Sequence, residues 1–144
     1  MFSKACQYAI KASIFIATNS LKGNRVTPKE IAQEINSPAA FTAKILQQLV
    51  KNNIVKSVRG IKGGFQIEPS KLATIKLSQI VNAIDGDSIY KGCGLGLEEC
   101  NEQFPCPVHD KFLLIRNNLK LMLENTNLEE LAKGINDGAS FLKT

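Results

Sequence analysis

Two helix starts lie ten residues apart in this chain, Thr27-Pro28-Lys29-Glu30 and Ser37-Pro38. Few signals restrict a fold more tightly. Thr27 can accept from the backbone N–H of Glu30, Glu30 can reach back to the N–H of Thr27, and Pro28 loses nothing at the first helical position. Ser37 is expected to cap a second helix from Pro38 to about Asn52. Ile31, Ala32 and Ile35 form the buried side of the first helix. Phe41, Ile45, Leu46, Leu49 and Val50 keep the 3.6 period in the second. Two helices joined by so short a turn form a helix-turn-helix, with the second as reading helix. A plain helical hairpin with a solvated outer face is the competing interpretation.

The next residues favour the helix-turn-helix. Ile54 to Arg59 reads as a strand and Phe65 to Ile67 as another, with Gly60-Ile61-Lys62-Gly63-Gly64 between them. A helix precedes the pair, from Ser3 to about Asn19, built on Ala5, Ala9, Ala12 and Ile16. Three helices followed by a glycine-tipped basic hairpin give the order of a winged helix, so the chain is expected to be mostly α with a small β wing. The glycines supply positive φ at the tip, and Arg59 and Lys62 bring charge to phosphates or a narrow minor groove. The same glycines do not form a nucleotide loop, because no Gly-Lys-Ser/Thr ending or helix follows them.

The expected DNA-facing set is therefore Thr27, Ser37 and Pro38 at the helix starts, Ala39, Ala40, Thr42, Lys44 and Gln47 on the outward side of the reading helix, and Arg59, Lys62 and Gly63 on the wing. Charge agrees with this placement. Residues 1–65 hold ten Lys and Arg against two acids, Glu30 and Glu34, whereas residues 66–144 hold eight against eleven. A basic half joined to a mildly acidic half points to nucleic acid on the first. No paired carboxylates, nucleophile–base pair or nucleotide loop suggests an enzyme. Lys11 interrupts the N-terminal apolar run, so a secretory signal is not expected, and no run is long enough to span a bilayer. A cytoplasmic protein without a membrane partner is the expectation.

A short helix from about Leu77 to Ile84 leads into the stretch Gly92 to Asp110, which contains Cys93, Cys100, Cys106 and the chain's one histidine, His109. Glycines and prolines there exclude a long regular element. In a reducing compartment such a group suggests metal or redox chemistry more than a disulfide framework. Thiolates with an imidazole suit an iron–sulfur cluster. Zinc could use the same donors, although structural zinc sites usually draw cysteines in close pairs. A thiol/disulfide switch is a third option, and a small iron–sulfur electron carrier would leave the basic half unexplained. Cys6 reads as a buried small hydrophobe.

From Lys111 the chain turns strongly helical. Phe112, Ile115, Leu119 and Met122 mark one stripe, but Leu113, Leu114, Leu121 and Leu123 widen it nearly all round, so one side is expected to meet a second copy. Leu128 to Ala132 adds a short helix capped by Asn127. Residues 136–144 carry no signal. The expected organisation is 1–85 for the winged-helix DNA-binding part, 86–110 for the Cys/His loop, and 111–144 for the dimerisation helix and tail.

Taken together, Tyr8-Ala9, the run Leu49-Val50-Lys51-Asn52-Asn53-Ile54-Val55 leading to Ser57-Val58-Arg59-Gly60, the Gly63-Gly64-Phe65 wing and the three-cysteine loop before a long helix resemble the Rrf-two family of winged-helix transcription regulators. The resemblance covers roughly Ser3 to Leu131. It implies a homodimer formed through the long helix, binding to a roughly palindromic operator in double-stranded DNA, and, in many members, an iron–sulfur cluster on the three loop cysteines. A 2Fe–2S cluster is favoured here, with 4Fe–4S the other form. The spacing between Cys93 and Cys100 is one residue wider than is usual in IscR-like members. Gln7 replaces the aspartate that can complete the cluster of NsrR-like members. His109, three residues past Cys106, stands where IscR-like members place their histidine ligand, so the resemblance implies Cys93, Cys100, Cys106 and His109 as one ligand set. Ala43 and Lys44 replace base-reading residues of IscR-like members, so the operator sequence does not transfer.

Overall fold

The computed structural model describes residues 1–143; Thr144, the last residue of the expected tail, lies outside them. Helix α1 (Lys4–Leu21) runs through the centre, and α2, α3, α5 and α8 all pack on it. Its inner side is made of small and branched residues, with Cys6, Ala9, Ala12, Ile16 and Ala17 fully buried. Small side chains let neighbouring helices approach closely, so a thin helix can serve as the hub. Ser3 caps it by accepting from the Cys6 N–H at 3.1 Å. The Ser3 backbone N–H also donates to Asp85 Oδ2 at 3.2 Å, tying the chain start to the end of α5.

Helix α2 (Pro28–Ile35) begins with the expected capping box: Thr27 N–H donates to Glu30 Oε2 at 2.7 Å and Glu30 N–H to Thr27 Oγ1 at 3.2 Å. Asn36 ends it in the left-handed region at φ 53°, and α3 (Ala39–Lys51) follows. Strands β1 (Lys56–Val58) and β2 (Gly64–Gln66) pair antiparallel, with Lys56 opposite Gln66, Ser57 opposite Phe65 and Val58 opposite Gly64. The first is shorter than the expected Ile54 to Arg59, and the second has the expected length but lies one residue earlier. Ile54, Val55 and Ile67 are buried under the sheet instead of extending it.

Two short helices, α4 (Pro69–Leu72) and α6 (Ser88–Lys91), lie where loop is expected, on either side of α5 (Leu77–Asp85). Pro69 is the first residue of α4 as well as the end of the second strand region, and it inserts Leu72 fully into the core. Helix α7 (His109–Asn125) starts two residues earlier than expected. Helix α8 (Leu128–Asn136) extends further than expected and buries Leu128 and Ala132.

The α7–α8 junction is fastened to the start of α5. Leu77 N–H donates to Thr126 O at 2.9 Å and Leu128 N–H to Ile75 O at 3.0 Å, forming an isolated bridge between Lys76 and Asn127. The C-terminal helix thus returns to the N-terminal helical core. Asn136 Nδ2 reaches Thr18 O at 3.4 Å, and Lys143 pairs with Glu34 at 3.2 Å. No helix of the described residues is long and apolar enough to cross a membrane.

Candidate functional site

Helix α3 presents Ala39, Ala40, Ala43, Lys44 and Gln47 on its open side. Short side chains at its first turn leave the backbone accessible to a groove, while Lys44 and Gln47 supply a charge and an amide that can reach phosphates or base edges. Thr42 does not belong to this side. It is 1% exposed, its Oγ1 donates to Pro38 O at 2.9 Å, and it also pairs with the Ser37 hydroxyl. With one side of α3 facing α1 and α2, position 42 turns inward with Ile45, Leu46 and Leu49. Ser37 consequently does not cap through its side chain: Pro38 is the capping position, and the Ser37 hydroxyl is spent on Thr42. The structure corrects the expectation of Thr42 as a reading residue and makes it a structural one. Thr27 and Pro38 remain exposed at the helix starts, with Ser37 half-buried.

The wing projects beside this helix. Arg59, Ile61 and Lys62 are exposed. Gly63 contributes by lacking a side chain: its N–H donates to Gly60 O at 2.9 Å, and a Cβ there would stand 2.3 Å from Val58 O. Arg25, outside the expected set, braces the hairpin, donating from Nε to Gln66 Oε1 at 2.9 Å and from Nη1 to Lys62 O at 3.2 Å. Its place one residue before Val26-Thr27 gave no sequence signal for this role.

The cysteine loop spans residues 92–108 and folds against α7. The Phe112 ring lies over Gly94, where a Cβ would come within 2.6 Å of the ring. His109 opens α7, its N–H bonded to Cys106 O at 3.0 Å, and its side chain is buried. Its Nδ1 stands 3.4 Å from Cys100 Sγ. Cys93 Sγ accepts from the Leu95 N–H at 3.4 Å. Backbone N–H groups of Leu95 and Leu97, with a smaller contribution from Cys106 beside it, hold the Cys93 thiol below its ordinary range. The four donors thus stand as two pairs, Cys100 with His109 and Cys93 with Cys106. Among the described residues no three His, Cys, Asp or Glu side chains converge in a metal-holding group.

Arg116 is the functional neighbour that sequence reasoning missed. It is 9% exposed, and its Nη2 donates to Cys100 Sγ at 3.0 Å while Nη1 donates to Gly92 O. Its Nε has no partner. The available signal was spacing, since Arg116 lies two helical turns past His109 and so shares its side of α7. Cys6 lies apart from the loop, wholly buried in the core. Burial and the Asp85 carboxylate push its thiol from 9.0 up to about 12.

A tight helix pair, an exposed cationic reading helix and a basic two-stranded wing define a winged helix-turn-helix regulator that binds DNA. The family model described as Rrf2, Iron-dependent Transcriptional regulator, matches residues 2–134, and the chain belongs to the Rrf2 family. It is 30% identical over 136 residues to an HTH-type transcriptional regulator of Aquifex aeolicus, covering 91% of this chain and 90% of that one. It is 26% identical over 127 residues to the HTH-type transcriptional regulator IscR of Xenorhabdus nematophila, covering 88% and 76%. Among solved structures, the global cysteine regulator CymR of B. subtilis superposes with a TM-score of 0.74 at 24% identity over 92% of this chain and 96% of that one. IscR of T. potens gives 0.71 at 20% identity over 98% and 92%. These two likenesses establish a shared fold. The chain is a transcription regulator and not an enzyme.

Proposed function

We propose that this regulator acts as a homodimeric repressor whose loop holds an iron–sulfur cluster on Cys93, Cys100, Cys106 and His109. The observation that carries the reading is the 3.4 Å approach of Cys100 Sγ to His109 Nδ1, with Cys93 and Cys106 adjacent to each other in the same loop. The donor chemistry fits: three soft sulfurs and an imidazole suit iron–sulfur ligation, with 2Fe–2S the preferred form. The family description as iron-dependent supports the same assignment. A bound cluster would supply an iron centre sensitive to oxidation, nitric oxide or iron supply. The chain's own residues would do the rest. Closing the two donor pairs on one centre draws the loop in against Phe112 and His109, and opening them releases it.

Because the loop joins the reading core to α7, its closed and open forms favour different orientations of that helix. Leu114, Ile115, Leu121 and Met122 of α7 are all exposed, and this apolar side supports pairing with a second copy. In such a dimer two α3 helices would enter successive major grooves of a roughly palindromic operator, with the wings at the flanking minor grooves. The protein would work in the cytoplasm.

The test is purification without oxygen, followed by iron and sulfide analysis and a visible spectrum, repeated on Cys100→Ala. A coloured wild type and a bleached variant are expected. Colourless, iron-free wild-type protein sinks the cluster reading. One observation favours a second reading, a disulfide switch: Cys93, its thiol held low, stands beside Cys106. In that case mass spectrometry of the iron-free protein would find a reversible Cys93–Cys106 bond.

A further inference from the structure

A buried guanidinium needs a counter-charge, and Arg116 has none among the described residues. It is nine-tenths buried, no carboxylate stands within 4.0 Å of it, its Nε is orphaned, and its two bonded nitrogens meet one carbonyl and one sulfur. Removing a cation from water without such compensation is strongly unfavourable. The surroundings of these three nitrogens also show where the compensation would come from. Nη2 points at Cys100 Sγ, which is itself 3.4 Å from His109 Nδ1, so the cation lies at the edge of the donor set.

We propose that Arg116 is the counter-cation of the thiolate-bound group in the loop, a positioning residue that holds Cys100 and balances the negative charge of the loaded site. The inference rests on the reading of this loop as a cluster site. Three cysteine thiolates around a 2Fe–2S core leave the oxidised centre with a net negative charge, and one-electron reduction adds another. A fixed cation 3.0 Å from a ligand sulfur favours the loaded over the empty loop, and the reduced over the oxidised centre. The same residue also bonds to Gly92 O, so it ties the entry of the loop and its central cysteine to one point on α7.

This role has a sign that ordinary packing does not share. An Arg that merely packs would destabilise the protein when replaced, loaded or not. A counter-cation waiting for its anion weakens the empty protein, so Arg116→Met, which keeps the apolar stem, should leave the metal-free melting temperature unchanged or raise it. In reconstituted full-length protein the same variant should disfavour the reduced cluster about tenfold, a downward shift of about 59 mV for a one-electron couple. Arg116→Lys should restore most of that shift.

The experiment pairs thermal unfolding of metal-free protein with anaerobic redox titration of the reconstituted wild type, Arg116→Met and Arg116→Lys. Failure of Arg116→Met to keep a cluster, with its metal-free form intact and Arg116→Lys still loaded, supports the assignment equally. A cluster at wild-type potential in Arg116→Met overturns it while leaving the cluster reading standing. So does a markedly destabilised metal-free Arg116→Met, or cluster loss in both variants. A wild type that takes up no cluster overturns the cluster reading and the role of Arg116 together.

Discussion

Gly64 lies directly under the Val26 carbonyl: a Cβ at position 64 would stand 2.7 Å from that oxygen, with φ at +141°. The contact exists because Val26 and Phe65 exchange both backbone hydrogen bonds, at 3.1 and 2.8 Å, so the entry to α2 and the wing form one unit. Gly64→Ala should therefore cost about 1–3 kcal/mol through backbone strain and overlap. Chemical denaturation measures that loss. DNA affinity should fall with it, because the wing can no longer sit against the start of α2.

Lys44, Arg59 and Lys62 are exposed on α3 and the wing, and each is expected to meet a phosphate. Replacing any one by Ala should weaken binding across all sequences and reduce the salt slope of log K by about 1. Thr42→Val should behave differently. Its hydroxyl is buried and bonded to Pro38 O, so it should cost about 1 kcal/mol of stability and leave the salt slope unchanged. Binding titrations at several salt concentrations separate the two outcomes.

The proposed dimer would rest on α7. Leu114 is 63% exposed and Leu121 is 56% exposed, two turns apart on the same side of the helix. Leu114→Glu, or Leu121→Glu, should convert a dimer to a monomer in sedimentation equilibrium, with helix content unchanged. Persistence of the dimer in both variants would move the interface elsewhere.

Cys6 predicts an alkaline weakness. Its thiol is held at about 12 in the folded protein against 9.0 ordinarily, so the folded state binds the proton more tightly than the unfolded chain. Its contribution is complete below about pH 9 and declines as pH climbs toward 12. Near pH 10.5 the loss is roughly 2 kcal/mol. Denaturation of Cys6→Ala between pH 8 and 10.5 should lack that slope, at a cost of about 1 kcal/mol near neutrality from the smaller side chain. Equal slopes in the two proteins would contradict the assignment.

The elements that local chemistry dictates were legible in the residues. Thr27-Pro28-Glu30 specifies a helix start without help from the rest of the chain, and the glycines around Lys62 can hardly form anything but a turn. What depends on neighbours was not legible. Thr42 is compatible with either side of α3 until α1 and α2 are in place. Helix α7 is apolar nearly all round, so periodicity fixes its existence but not its phase. The expected stripe ran through Ile115 and Met122, whereas the protein buries His109, Arg116 and Leu123 and leaves those two exposed. An arginine inside Leu114-Ile115-Arg116-Asn117 reads as a surface charge, and only the folded loop gives it a sulfur. The four loop donors were recognisable by type, but their division into two pairs depends on how the loop turns.

The bridge between Lys76 and Asn127 leaves α7 unevenly held. One end is riveted to the core by backbone hydrogen bonds, while the other is held by the cysteine loop, α6 and a few side chains. A helix of 17 residues is about 25 Å long, so it forms a lever with its fulcrum at Thr126. A tilt of about 10° at that fulcrum would carry the His109 end through about 4 Å while hardly disturbing Leu123. Small changes among four side chains at the free end would thereby become displacements of several ångströms along α7, with the packing around Leu123 and the junction with α5 left in place.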